Sequence, residues 1–402
     1  MTAFFKDEGF QFATEIALGA SYHRCADVGE VLATIDGVKD GDFDSWCDAW
    51  IETAERVEAA AAEAEAAGHR ISAREAWQRA STYFDKAAFY MLGTRDPDRW
   101  TPIWRRHRQC FERAAALHDP PFERVEIPYE DTALEGWFFP ARDEGGDGEQ
   151  RRRLLLLNNG SDGTVLDMWV QGAAGATARG WHCLAYDGPG QGQAFHEQGL
   201  YFRPDWEAVV KPVVDYALSR PDVDSERIAL SGVSQAGYWV PRAVAFEHRI
   251  AAAVADPGVV DVSTAMTDAL PGSLRKHLEA GDVEKFNRQM DWGERFSKQN
   301  RFTLEFRGAP YGAKTPYDMF HAALSYRLDD ETLAAIRCPM LITDPEGEQF
   351  WPGQSHQLYE ALDSPKALVE FTAAEGGDSH CEPKAISLRD QRILDWLDET
   401  IA

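Results

Sequence analysis

Between about Asp42 and His118, apolar side chains recur at the three-, four- and seven-residue spacings of a helical face, with few glycines or prolines to break them. The first run, FDSWCDAWIETAERVEAAAAEAEAAGH, carries Phe43, Trp46, Trp50, Ile51 and Val57 on that face, and Gly68 follows as a stop signal. SAREAWQRASTYFDKAAFYML and DRWTPIWRRHRQCFERAAAL predict two further helices. We therefore expect an N-terminal helical domain over residues 1–120.

After Asp119-Pro120-Pro121 the pattern changes. FERVEIPYEDTALEGWFFPA alternates as a hairpin would, and RDEGGDGEQ, residues 142–150, reads as a polar surface loop. Six short apolar runs follow: LLLLNN, WHCLAYD, RIALSG, AAAVAD, PMLIT and ALVEFT, mostly separated by helical segments. Runs of this kind predict an α/β domain over 121–402, with a mostly parallel sheet covered by helices on both faces. The stretch from about Asp261 to Arg337 is too long for a simple connection and predicts a helical insertion over the functional edge of the sheet.

Composition narrows the function. The 402 residues carry 41 basic and 67 acidic side chains, a net charge of −26 that repels nucleic acid and anionic membrane surfaces. No apolar run approaches the ~18 residues of a membrane span. The start MTAFFKDEGF is acidic where a signal peptide would be basic, so a cytoplasmic protein is expected. The six cysteines are scattered without a C-x-x-C pair, which predicts free thiols and no metal site. The partner is expected to be a small-molecule substrate, with no nucleic acid, no membrane and no cofactor; assembly as a homodimer is left open.

The strongest chemical signal is RIALSGVSQAGYWVPRAVA. A β-run ends in Gly232-Val233-Ser234-Gln235-Ala236-Gly237, and a helix follows. A nucleophile elbow needs small residues two before and two after its serine. Gly232 meets this need, and Ala236 departs from the usual glycine. With Ser234 as nucleophile, an acid and a histidine should follow in that order on later loops. Of eleven histidines, only His380, in AAEGGDSHCEP, lies on a loop beyond the last strand-like run.

The acid is among Asp344, Glu346 and Glu348 in CPMLITDPEGEQFWP, with Asp256 a further alternative. Asp-Pro-Glu-Gly turns the chain after PMLIT, so Glu348, 32 residues before His380, is favoured, and Asp344 stands next. Two N–H donors for an oxyanion are expected at Gln235 and, in the NNGSDGT loop, at Ser161. YDGPGQGQA lacks both the Walker pattern and the G-x-G-x-x-G spacing, and reads as a packing turn. The thirteen tryptophans include Trp169, Trp206, Trp239 and Trp351 near the presumed active edge. Tyr83, Tyr90, Trp206 and Tyr238 are the candidate substrate-binding residues, Tyr83 and Tyr90 lying two turns apart on one aromatic helix face.

RASTYFDKAAFYML, DPPFERVEIPYEDTALEGWFFPA, NGSDG, YDGPGQG, the elbow, CPMLITDPEGE and GGDSHC together resemble a group of α/β-hydrolases with an N-terminal helical cap. That group includes 2,6-dihydroxypseudooxynicotine hydrolase, fungal polyketide-shortening pigment hydrolases and fermentation-respiration switch proteins. The likeness spans about Ala73 to the C-terminus. In that pattern a Cys-Pro strand opens nine residues before the triad acid, and Pro339 places Glu348 there; the family acid is often Asp, which keeps Asp344 in play. The resemblance implies an α/β-hydrolase fold with a Ser-acid-His triad. It further implies hydrolysis of a carbon–carbon bond beside a ketone in an aromatic or polyketide-like substrate, with ester or amide hydrolysis as the alternative. A binding protein of the same fold without catalysis is disfavoured by the intact set of residues.

Overall fold

A computed structural model describes residues 3–142, 151–294 and 298–402; the polar loop expected at 142–150 lies, beyond Arg142, outside the described residues. The chain forms two compact units, Met1–Glu123 with Pro383–Ser387, and Arg124–Glu382 with Leu388–Ala402.

The first unit is helical. The helices Phe43–Ala66, Arg70–Met91 and Trp100–Ala116 arise where the periodicity predicts them, and Gly68, at φ 77°, takes the left-handed turn that ends the first of the three. Two earlier helices, Glu8–Gly19 and Val28–Asp36, are too short for a clear apolar period; their sequence signals are the N-caps Asp7 and Asp27, whose carboxylates accept from first-turn N–H groups.

The interior is aromatic. Trp46, Trp50, Tyr83 and Phe84 are fully buried. Tyr90 stacks on Phe43 with ring centroids 5.2 Å apart and meets Phe10 at 5.0 Å. The Tyr83 hydroxyl donates to Glu30 Oε2 (2.8 Å) and accepts from the Asp27 N–H (2.9 Å). Both tyrosines thus belong to the core of this unit and not to a substrate-facing surface. The aromatic crowding that suggested a pocket is consumed by helix–helix packing.

The distant segment Pro383–Ser387 joins this unit by close backbone approach. A Cβ on Gly19 would stand 1.6 Å from the Pro383 carbonyl oxygen, so only glycine fits there, and Lys384 pairs with Glu15 at 3.4 Å.

The second unit is built on an eight-stranded sheet: β1 (Glu123–Tyr129), β2 (Thr132–Phe139), β3 (Arg152–Asn158), β4 (His182–Tyr186), β5 (Val223–Val233), β6 (Ala252–Asp256), β7 (Met340–Pro345) and β8 (Lys366–Phe371). The strand order is β1-β2-β4-β3-β5-β6-β7-β8; β2 runs antiparallel to β4, and β3 to β8 are mutually parallel.

Alternation along the Leu-rich β3 shows both faces in use. Leu154 and Leu156 join a core with Val209, Val213, Trp239 and Val240 from the helices Glu207–Ser219 and Ala236–Val244. Leu157 turns the other way, toward Gly172, and the adjacent helix Ala173–Ala178 meets Asp390 and Leu394 of the final helix, Ile386–Thr400. Between β6 and β7 the chain forms short helices, including Gly272–Glu279, Val283–Glu294, Lys298–Gly308 and Pro316–Ala323, around their own cluster of Leu274, Leu278, Phe286, Tyr317 and Phe320. Among the described residues no helix is long and apolar enough to cross a membrane, and all six cysteines are free.

Candidate active site

The loops beyond the C-terminal ends of β3, β5, β6, β7 and β8 carry the chemistry, as expected at this edge of a parallel sheet. β5 ends at Val233, and the next residue, Ser234, stands at φ 59°, a left-handed conformation that a non-glycine residue holds only under constraint. Its N–H donates to the Asp256 carbonyl (2.6 Å). A Cβ on Gly232 would lie 2.7 Å from the Ala236 Cβ, so glycine at one position is what admits alanine at the other. Gly237 is required separately, since its Cβ would meet the Pro257 carbonyl oxygen at 1.8 Å. The departure at Ala236 is therefore compatible with the elbow.

His380 Nε2 lies 2.9 Å from Ser234 Oγ, and His380 Nδ1 lies 2.8 and 3.0 Å from the two oxygens of Glu348. Glu348 Oε1 also accepts from the Phe350 and Trp351 N–H groups at 2.8 and 3.1 Å. Burial would raise the carboxyl's pKa, but the His380 ring and these hydrogen bonds outweigh it and hold Glu348 below the usual 4.5. An ionised carboxylate only accepts, so it places the proton on Nδ1 and leaves Nε2 to accept from the serine hydroxyl. The Phe350 ring meets the imidazole edge-on at 4.7 Å, shielding a pair whose side chains are about 5% exposed.

The other acids point elsewhere. Asp344 pairs with His356 Nε2 at 2.8 Å, Glu346 accepts from the Ala373 N–H at 2.7 Å, and Asp256 is held by Thr343 Oγ1 and Arg389 Nε at 2.8 and 2.6 Å.

Across from the serine, a Cβ on Gly160 would come within 2.8 Å of Ser234 Cβ, so the β3 loop passes directly over Ser234, with Ser161 next in line. Gln235 opens the helix Ala236–Val244, where the first N–H groups have no partner within the helix. The YDGPGQG turn explains itself here: Gln191 Nε2 donates to the Asn159 and Gly160 carbonyls at 2.6 and 2.7 Å, while Asp187 accepts from the Val165 and Gln193 N–H groups. This turn braces the loop facing Ser234. Sequence reasoning saw a packing turn but not what it packs, because the partners lie about 30 residues away, a separation that local pattern does not reveal.

Two candidate substrate residues are placed differently. Trp206 is fully buried, stacks on Trp239 at 4.2 Å and donates to Asn158 Oδ1; Tyr238 is 1% exposed, with its hydroxyl on the Pro204 carbonyl. Both are core residues beneath the loops, and a position near the active edge misled because that edge also needs a packed floor.

One buried cluster was not foreseen. Cys381 and Glu382, directly after His380, have positive φ (57° and 47°), and Arg389 Nε lies 2.6 Å from Asp256 Oδ2 and 3.6 Å from Glu382 Oε2. Two carboxyls share one guanidinium. Burial and then the Asp256 carboxylate push Glu382 well above the usual 4.5. A raised folded pKa means that Glu382's contribution to stability is complete below about pH 4.5 and is lost as pH rises through the folded value. Glu382→Gln should therefore melt increasingly above the wild type as the pH is raised from about 5 to 9. A constant offset in Tm across that range would contradict a neutral Glu382.

Comparison with known proteins agrees with this fold. Residues 175–402 match the prolyl oligopeptidase family. The chain is 32% identical to the hydrolase LUC6 of a Fusarium species, over 100% of this chain and 98% of that protein. It is 31% identical to the 20-hydroxy-prefusarin hydrolase FUS2 of Gibberella moniliformis, over 99% and 98%. The solved 2,6-dihydroxy-pseudo-oxynicotine hydrolase shares the fold, with a TM-score of 0.73 at 21% identity over 96% of this chain and 95% of that one. By similarity along its whole length to LUC6 this chain is a hydrolase of the α/β-hydrolase fold, and by its residues 175–402 it belongs to the prolyl oligopeptidase family.

Proposed function

We propose that the chain is a serine hydrolase in which Ser234, His380 and Glu348 act as the triad on a small polyketide-like or aromatic ketone, cleaving the carbon–carbon bond beside the carbonyl. The observation that carries the triad is the imidazole of His380 bridging Ser234 Oγ and the Glu348 carboxylate, with one ring nitrogen on each.

His380 Nε2 takes the hydroxyl proton as Ser234 Oγ bonds to the carbonyl carbon. The oxygen becomes an oxyanion facing the N–H groups of Gln235 and Ser161, while Glu348 stabilises the imidazolium. Collapse breaks the carbon–carbon bond. Its electron pair leaves on an electron-rich aryl or enolate carbon, which takes the proton from His380, and the acyl group stays on Ser234. Water, deprotonated by His380, then releases the carboxylic acid. Overall, a ketone and one water give an acid and a protonated leaving group.

Support for a small secondary-metabolite substrate comes from the relatives: one is named for 20-hydroxy-prefusarin, and the solved enzyme of the same fold for 2,6-dihydroxy-pseudo-oxynicotine. Ester or amide hydrolysis is the second reading, favoured by the prolyl oligopeptidase match, and uses the same steps with a heteroatom leaving group. A panel of aryl ketones, β-diketones and matched aryl esters, with products resolved by mass spectrometry in ¹⁸O-labelled water, separates the two. The carbon–carbon reading expects label in the acid from ketones as well as esters; turnover of esters or amides alone contradicts it.

A further inference from the structure

The helical insertion reaches the two loops beside Ser234 through two contacts four residues apart. At the end of the helix Lys298–Gly308, Arg307 Nη1 donates to Ser161 Oγ (3.1 Å) and pairs with the Asp162 carboxylate. Just beyond, in the turn Ala309–Tyr311, the Tyr311 hydroxyl donates to Gln235 Oε1 at 3.4 Å. Ser161 and Gln235 are the two residues whose N–H groups face the oxyanion in the proposed reaction, and they come from loops 74 residues apart in sequence. One short segment holds both.

That segment is itself fixed. The Phe202 N–H donates to the Pro310 carbonyl (2.8 Å), and the Tyr311 ring packs edge-on against Phe202 (5.1 Å) and Tyr326 (5.2 Å). Burial pushes the Tyr311 phenol pKa up, so the hydroxyl stays a donor. From the opposite side, Gln191 holds the Asn159 and Gly160 carbonyls. The loop before Ser161 is thus gripped through its carbonyls by the core, and Ser161 and Asp162 are gripped through their side chains by the insertion. Only the second grip depends on the docked position of residues 307–311.

We propose that Arg307 and Tyr311 are positioning residues for the oxyanion hole: Arg307 sets the Ser161 loop, Tyr311 sets Gln235, and the insertion completes the hole by placing both. This rests on the reading of Ser234 as nucleophile. An N–H donor stabilises the transition state only when aimed at the developing charge, and a displacement of about 1 Å costs up to about a hundredfold.

The test uses the full-length protein and an activated aryl ester. Arg307→Gln should lower kcat by about tenfold to a hundredfold with little change in KM, and Tyr311→Phe by somewhat less, since it removes one hydrogen bond. Arg307→Lys keeps the charge opposite Asp162 and should recover part of the loss. The discriminating readout is affinity for a trifluoromethyl ketone, which forms a tetrahedral oxyanion on the serine: it should weaken by the same factor as kcat/KM, while Tm stays close to wild type. A merely structural role would lower Tm and leave inhibitor affinity of the folded fraction unchanged.

Wild-type kcat in Arg307→Gln and Tyr311→Phe, or a change confined to KM, overturns the proposal. If Arg307→Gln does not fold, Asp162→Asn breaks the same pair from the loop side and carries the same expectations. Failure of the underlying reading shows separately, as an active Ser234→Ala. An inactive Ser234→Ala together with fully active Arg307→Gln refutes only the role of the insertion.

Discussion

Replacing Ser234 with alanine is expected to lower kcat by about 10⁴-fold or more while leaving Tm close to wild type. In the proposed reaction the hydroxyl is the bond-forming group, so no other side chain substitutes for it. The elbow is held by the Ser234 N–H on the Asp256 carbonyl and by the close approaches at Gly232 and Gly237, none of which involves the side-chain oxygen. The fold should therefore survive. Steady-state kinetics beside a thermal melt checks both halves, and retention of a tenth of the wild-type activity would remove Ser234 from the mechanism.

The second large effect is expected at Glu348. Glu348→Gln preserves shape but puts a neutral amide opposite His380 Nδ1, losing the charge that stabilises the imidazolium and the preference for the Nδ1–H tautomer; a loss in kcat approaching 10⁴-fold is the scale for such a change. Asp344→Asn should stay close to wild type, because Asp344 pairs with His356 at 2.8 Å while Glu348 is the carboxylate on His380 Nδ1. Since His380 and its neighbouring N–H groups hold the Glu348 pKa below the usual 4.5, the carboxylate stays charged across the working range, and its protonation should not set the acid limb of kcat/KM. An Asp344→Asn variant crippled as severely as Glu348→Gln would reverse the assignment.

Much of this was readable because the signals are local. The elbow needs small residues at fixed offsets from Ser234, and the parallel strands announce themselves as short apolar runs such as LLLL and AAAVA, buried on both faces. Glu348 was favoured among three nearby acids because the Asp-Pro-Glu-Gly turn sets which carboxylate points back.

What local pattern did not convey were contacts made at a distance. Nothing around Arg307 distinguishes it from a surface arginine, and its meaning comes only from lying beside Ser161 and Asp162. Tyr83, Tyr90, Trp206 and Tyr238 illustrate the opposite error: from sequence an aromatic ring reads equally as pocket wall or as core, and all four are buried, with the Tyr83 and Tyr238 hydroxyls and the Trp206 indole held in hydrogen bonds. The Asp256–Arg389–Glu382 cluster escaped notice because Asp256 precedes Glu382 by 126 residues, and only the fold shows that the three share one buried space.

Covalent catalysis at Ser234 is read most directly by intact-mass and peptide-mapping analysis after exposure to an aryl phosphonate that mimics the tetrahedral state. A single adduct on Ser234, stoichiometric with loss of activity, formed much more slowly in Glu348→Gln and absent from Ser234→Ala, is the predicted result. Inactivation with Ser234 unmodified, or an adduct on another residue that tracks the loss of activity, would contradict it.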